Sequence, residues 1–370
     1  MEEEKAYRYW MHNLPEIGDR TIEKLLKEFG SAKDVYRARN NLPKQMLRKN
    51  AAEGIKEFSK KWEIERQYVK LQESGIRFYS LEDEEYPARL RKLVHPPYAL
   101  YCIGNMPEEE CPSIAIIGAR ECSEYGRYMA EAFAGKMADA GVAVVSGMAR
   151  GIDGISQRAA VDKKGRTYAV LGSGVDVCYP VSNKKLYQDI QITGGGILST
   201  FPPGTCPHKT QFPERNRIVA GLSDVILVVE ARAKSGTWIT VDMALEQGKN
   251  IYAVPGRLTD RLSDGCNLLI RQGAGIALTP EDILAELVVL TNRQGNKNRK
   301  NTGRKKNDVK SSVDFSKFLD FYPKSADEIL KEMKNAGIPI ELPGLLTGLI
   351  GLCVEGRAKQ VAGSHFVKVF

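Results

Sequence analysis

Between residues 113 and 287 short apolar runs without polar alternation recur, separated by helical stretches, and this pattern leaves few folds open. The candidate strands are 114–117, 142–145, 168–171, 225–229 and 251–254, with helices read at 125–140 and 237–247. A strand that is apolar on both faces must be covered on both, which a parallel sheet between helical layers achieves. The expected fold is α/β: a doubly wound, Rossmann-like parallel sheet spanning 79–290.

The flanking segments read differently. Residues 1–78 suggest a small helical domain. In LPEIGDRTIEKLLKEFG, a turn at Pro15 and Gly18 precedes Ile22, Leu25, Leu26 and Phe29 at helical spacing, and Gly30 closes the run. The pattern is that of a SAM or helix-hairpin-helix unit, except that Glu16 sits where a first glycine is usual. Residues 79–112 read as an irregular or extended entry to the sheet. Residues 313–370 hold a Ser-capped helix in SADEILKEMK, a second apolar helix, and two short strands, the signature of a winged helix.

The net charge of +8 is not spread evenly. Residues 291–310 carry eight Lys or Arg against one Asp, which is +7, so the remaining chain sums to about +1. The basic segment 291–312 is therefore read as a disordered linker, charged either for solubility or to attract phosphate. No apolar run approaches the roughly 18 residues a membrane helix needs. The N-terminus MEEEKAYRYW is unlike a signal peptide, and the seven cysteines are scattered without a C-x-x-C pair. Reduced thiols in a cytoplasm are the expectation, with no metal site and no cofactor.

Glycine-rich turns follow the strands at Gly118-Ala119-Arg120, Ser146-Gly147-Met148 and Gly172-Ser173-Gly174, with Gly194-Gly195-Gly196 before the strand at Ile197. Such turns let backbone N–H groups approach phosphate at the edge where doubly wound sheets bind ligands. After the last of them comes ILSTFPPGTCPHKTQFPERNRIVAGLS, where Pro213-Glu214 reads as a helix start with Arg215 and Arg217 in its first turn. Lys209, Arg215 and Arg217 around Phe212 suit several phosphates with a base nearby, the pattern of single-stranded nucleic acid. The competing reading is a solvated basic loop beside a structural ring. There is no G-x-G-x-x-G after the first strand and no G-x-x-x-x-G-K-[ST], and no catalytic constellation emerges. Asp153, Asp176 and the Ser235-Gly236-Thr237 stretch read as loop braces or caps.

In order, YPARL, IIGAR, SGMARGID, GSGVDVCYPVSNKKL, FPERNRIVAGLS, VVEARAKSGTWIT, AVPG and GCNLLIRQGA resemble the DprA/Smf family, the DNA-processing proteins of bacterial natural transformation. The resemblance covers roughly 79–287. It implies an extended Rossmann fold that binds single-stranded DNA, self-associates as a homodimer and delivers the strand to the RecA recombinase, without enzymatic turnover. The residues it points to for nucleic acid are Gly118, Arg120, Gly147, Gly172, Lys184, Lys209, Phe212, Arg215, Asn216 and Arg217. Arg215 and Arg217 either touch DNA or brace the loop. Leu268, Leu269 and Ile276 either pair two subunits or close the domain's own core.

The chain departs from the family pattern at three places: Thr200 replaces an acidic residue, Gln157 a histidine, and Val181 a lysine, which leaves Lys184 and Lys185 as nearby charge. A rival reading is a nucleotide-binding enzyme related to phosphoribohydrolases, but GGGILST lacks their P-G-G-x-G-T motif and catalytic Glu. A third reading, an architectural protein acting through its winged helix, leaves Lys209 and Arg215 without a purpose.

Overall fold

The run SIAII forms an inner strand of a nine-stranded sheet and is buried at every position. The computed structural model describes residues 2–47, 51–288, 315–319, 324–338, 340–354, 357–361 and 365–368. The expected linker at 291–312 lies outside these residues. Two units separate, Met1–Leu287 and Val288–Phe370.

The first unit begins with helices α1 (Glu2–His12), α2 (Asp19–Phe29), α3 (Ala32–Arg37), α4 (Ala51–Lys61) and α5 (Ile64–Glu73). Then come β1 (Arg77–Ser80), α6 (Ala88–Arg91) and β2 (Ala99–Gly104). The alternating part runs β3 (Ser113–Ile117), α7 (Glu124–Asp139), β4 (Ala143–Ser146), α8 (Ile152–Asp162), β5 (Thr167–Val170), α9 (Lys184–Ile192) and β6 (Gly196–Ser199). It continues with α10 (Gln211–Leu222), β7 (Val225–Val228), α11 (Thr237–Glu246), β8 (Asn250–Ala253), α12 (Asp264–Arg271) and β9 (Gly275–Ile276).

The spatial order is β1-β2-β6-β5-β4-β3-β7-β8-β9. From β6 to β9 every pairing is parallel, as the unbroken apolar runs require. The segment read as an irregular or extended entry is extended in part and adds two antiparallel strands, with Tyr79 opposite Leu100 and Cys102 opposite Leu198. ALYCIG is apolar enough to sit inside the sheet between β1 and β6.

Side chains alternate between two cores. Ala115, Ile117, Val145, Val170, Ile226 and Val228 pack with Ile218 and Leu222 of α10, Val241 of α11 and Leu269 of α12. Ala99, Tyr101, Ala169, Leu171 and Ile197 pack on the other side with Leu186 of α9 and with Trp10, Ile22, Leu25 and Ile55 of the N-terminal helices. The boundary read after residue 78 thus falls inside β1, and the helices share their core with the sheet. In the first interhelical turn Glu16 has φ 62°, a left-handed conformation that favours glycine.

In the second unit Ser325 caps a helix over Ala326–Asn335 through a reciprocal bond with Glu328. A second helix, Leu342–Val354, precedes the antiparallel strands Ala358–Val361 and His365–Lys368, and Lys324–Ser325 completes a three-stranded sheet. Ile329, Met333, Leu345, Leu349 and Phe366 fill its core.

Candidate functional site

From β3 the chain winds through β4, β5 and β6 to one side, then returns along α10 to β7 on the other. Loops leaving the carboxyl ends of β3 and β7 therefore part in opposite directions and open a crevice between them. The loop after β3 is anchored from both sides. The Ala119 N–H donates to the Glu230 carbonyl at 2.8 Å, and the Ala119 carbonyl accepts from the Ile152 N–H at 3.1 Å. Gly151 has φ 70°, and a Cβ there would strike the Ala119 and Arg120 carbonyls, so the loop after β4 lies directly against the loop after β3. Arg120 stands exposed at this junction, beside Gly118.

The FPERNR segment behaves differently from its sequence reading. Helix α10 starts at Gln211 rather than at Pro213, which moves Arg215 into the second turn. Arg215 is 5% exposed and donates from Nη1 to the Val170 carbonyl at 2.6 Å and to the Gly147 carbonyl. Its Nε donates to Asn216 Oδ1 at 3.1 Å. Burial lowers its affinity for the proton, opposed by the Asp153 charge. The bracing alternative thus describes Arg215 well. Arg217 sits two residues, or about 200°, further around the helix. It donates to the His95 carbonyl and lines neither depression at the site, so it is not brought together with the others.

Phe212 is partly buried. A Cβ on Gly172 would come within 2.9 Å of its Cδ1, so the absence of that atom seats the ring. Tyr179 stacks on Phe212 with centroids 5.9 Å apart and planes at 26°. The Arg120 Cζ lies 5.5 Å and the Arg215 Cζ 5.9 Å from the Phe212 centroid, within cation–π range. Tyr179, 45% exposed, is a site residue that sequence reasoning passed over, as is Arg150. The signal for Tyr179 was the Tyr-Pro step itself, weighed only for the lysine missing after it.

Two adjoining depressions of about 460 and 540 Å³ share Arg120, Gly147, Ala149, Phe212 and Arg215. The first adds Arg150, Gly172, Tyr179 and Val181; the second adds Gly118, Lys209, Asn216 and the 235–237 start of α11. Four cations, Arg120, Arg150, Lys209 and Arg215, face two carboxylates, Glu121 and Asp153. Burial raises the Asp153 pKa, opposed by the Arg215 charge and the Gly147 N–H. Lys184 is exposed at the start of α9 but lines neither depression.

Asp153 and Asp176, read as braces or caps, each hold a loop N–H. Asp153 accepts from the Gly147 N–H at 3.1 Å, and Asp176 accepts from the Gly204 N–H at 2.8 Å. Of the three departures, Gln157 is buried and donates to Thr167 Oγ1 and the Tyr168 carbonyl, away from the site. Thr200 is 8% exposed, and its Oγ1 has no hydrogen-bond partner among the described residues. Val181, 74% exposed, stands on the rim of the first depression.

The family model for DNA recombination-mediator protein A matches residues 77–288, more than half of the chain. The DNA processing protein DprA of Bacillus subtilis is 37% identical over 255 residues, 67% of this chain and 86% of that relative. The X-ray structure of DNA processing protein A from Streptococcus pneumoniae matches with a TM-score of 0.64 at 31% identity, over 77% of this chain and 97% of that one. A Helicobacter pylori DNA processing protein A structure, titled for its single-stranded DNA binding mode, matches with a TM-score of 0.51 at 32% identity, over 57% of this chain and 96% of that one.

Proposed function

The chain belongs to the DNA recombination-mediator protein A family, and from that premise we propose that it binds single-stranded DNA along the carboxyl edge of its sheet. The bound strand is protected and delivered to the RecA recombinase during transformation or recombination, in the cytoplasm and without turnover of a substrate. The observation that carries this reading is the pair of depressions at the switch point. Exposed Arg120 and Lys209 border them, and Phe212 and Tyr179 supply rings beside the cations. Phosphates on cations and bases on aromatic faces are the two terms of single-strand binding.

The finer assignments follow from the same reading. Gly118, Arg120, Gly147, Gly172, Lys209 and Asn216 make the surface, Arg215 shapes it from below, and Lys184 adds charge at its margin. The small C-terminal unit acts as a winged helix, with the 291–312 segment as its basic tether. Homodimerisation uses the β9 edge, where Ile276 is 49% and Leu278 67% exposed, whereas Leu269 is 4% exposed and belongs to the core. Among the described residues no helix is long and apolar enough to cross a membrane.

The test is a salt titration of binding to single strands, blunt duplexes of equal length and a mononucleotide. Single strands should bind tightest, with affinity falling steeply as salt rises, because each neutralised phosphate releases counterions. Equal affinity for duplex and single strand would remove the reading.

A further inference from the structure

Phe212 carries the family motif, yet its ring is already engaged by the protein, held against Gly172, stacked by Tyr179 and approached by two guanidinium groups. Tyr179 is the outer ring of that stack and is 45% exposed. On the same wall Arg150 is exposed and forms no ion pair among the described residues. We propose that Tyr179 and Arg150 form a nucleotide subsite of their own, Tyr179 taking the base on its free face and Arg150 the adjoining phosphate.

This inference rests on the single-strand reading and extends it, because it gives the strand a path. Lys209 lies in the second depression, Arg120 in both, and Tyr179 and Arg150 in the first. A strand held at Lys209 and Arg120 continues toward the amino end of α9, where Val181 and Ser182 complete the rim. An aromatic face accepts any base, so the subsite selects unpaired nucleotides without selecting sequence. Phe212 becomes the inner plate that stiffens Tyr179.

Substitution of each ring by tryptophan in the full-length protein separates the two roles. With a thymidine homopolymer as probe, Tyr179→Trp should show emission quenched on binding, while Phe212→Trp should not. Tyr179→Ala should weaken binding roughly 5- to 150-fold, the worth of one stacked base, with the salt slope unchanged. Tyr179→Phe should restore the affinity. Arg150→Ala should lower the salt slope by about one. An abasic strand, which keeps its phosphates, should bind wild type and Tyr179→Ala alike.

Quenching at position 212 but not 179, or unchanged affinity in folded Tyr179→Ala, overturns the subsite and leaves single-strand binding standing. Failure of the wild type to prefer single strands defeats the underlying reading instead, so the two failures are distinct.

Discussion

Half-buried Arg89 and buried Arg215 lie at opposite edges of the same sheet, near the two ends of α10, and both direct their guanidinium groups at backbone carbonyls. Arg89 donates to the Leu222 carbonyl at 3.1 Å and the Cys111 carbonyl at 2.9 Å, and pairs with Asp224 at 3.1 Å. Asp224 also accepts from the Ser113 N–H at 2.9 Å, which ties the start of β3 to the α10–β7 turn. Arg215 has matching carbonyl contacts but no ion pair among the described residues; Asp153 acts on it only through its charge. One edge is thus electrically closed and holds the fold together. The other keeps a guanidinium with no carboxylate in direct contact among the described residues, beneath exposed Arg120, Arg150 and Lys209. The difference lies in the partner, and the proposed function puts the phosphates at the second edge.

The contrast breaks most readily at the closed edge. Arg89→Ala leaves half-buried Asp224 without the guanidinium that contacts it, and denaturant unfolding should register a loss of about 3–5 kcal/mol. Strand affinity of the protein that remains folded should not change. A loss below about 1 kcal/mol would make Arg89 no more than a surface pair.

Arg215→Ala should cost less, about 1–3 kcal/mol, because unpaired carbonyls are partly offset by removing an uncompensated charge. Here affinity for single strands should fall too. If Arg215→Ala destabilises as much as Arg89→Ala and spares binding, the two arginines do the same job and the contrast fails.

The smallest effect on stability belongs to the exposed cations. Arg120→Ala and Lys209→Ala should each stay within about 0.5 kcal/mol of wild type. Each should still reduce the salt slope of binding by about one and weaken all sequences alike. A marked fall in melting temperature for either would show that the rim is structural.

Much of this was legible in the residues. Unbroken apolar runs announce strands buried on both faces, and the sheet from β3 to β8 lies within a residue or so of where they place it. The pair β1 and β2 was harder, because YALYCIG follows His95-Pro96-Pro97 and lacks the flanking helices that mark the other strands. Motif reading also treats Arg215 and Arg217 as neighbours. Helical geometry sets them on different sides, and one points at Val170 while the other reaches His95. That separation follows from the 3.6-residue period wherever the helix starts. What no local pattern reveals is burial: Arg215 and Arg120 look alike in a string, and only the packed loops after β3, β4 and β5 tell them apart.

Trp10, Ile22, Leu25 and Ile55 lie in one cluster with Tyr101, Ala169 and Ile197, and this has a consequence for the order in which the protein comes into being. The helices are synthesised before the sheet strands that complete their apolar surroundings. Until β1, β2, β5 and β6 have been made, the early helices lack the sheet face that completes their core. A chain cut to begin at β1 would suffer the reverse fault and carry the bare wall of its sheet into water. Helices and sheet should therefore lose hydrogen-exchange protection together, in one cooperative event, although in sequence they look like separate modules.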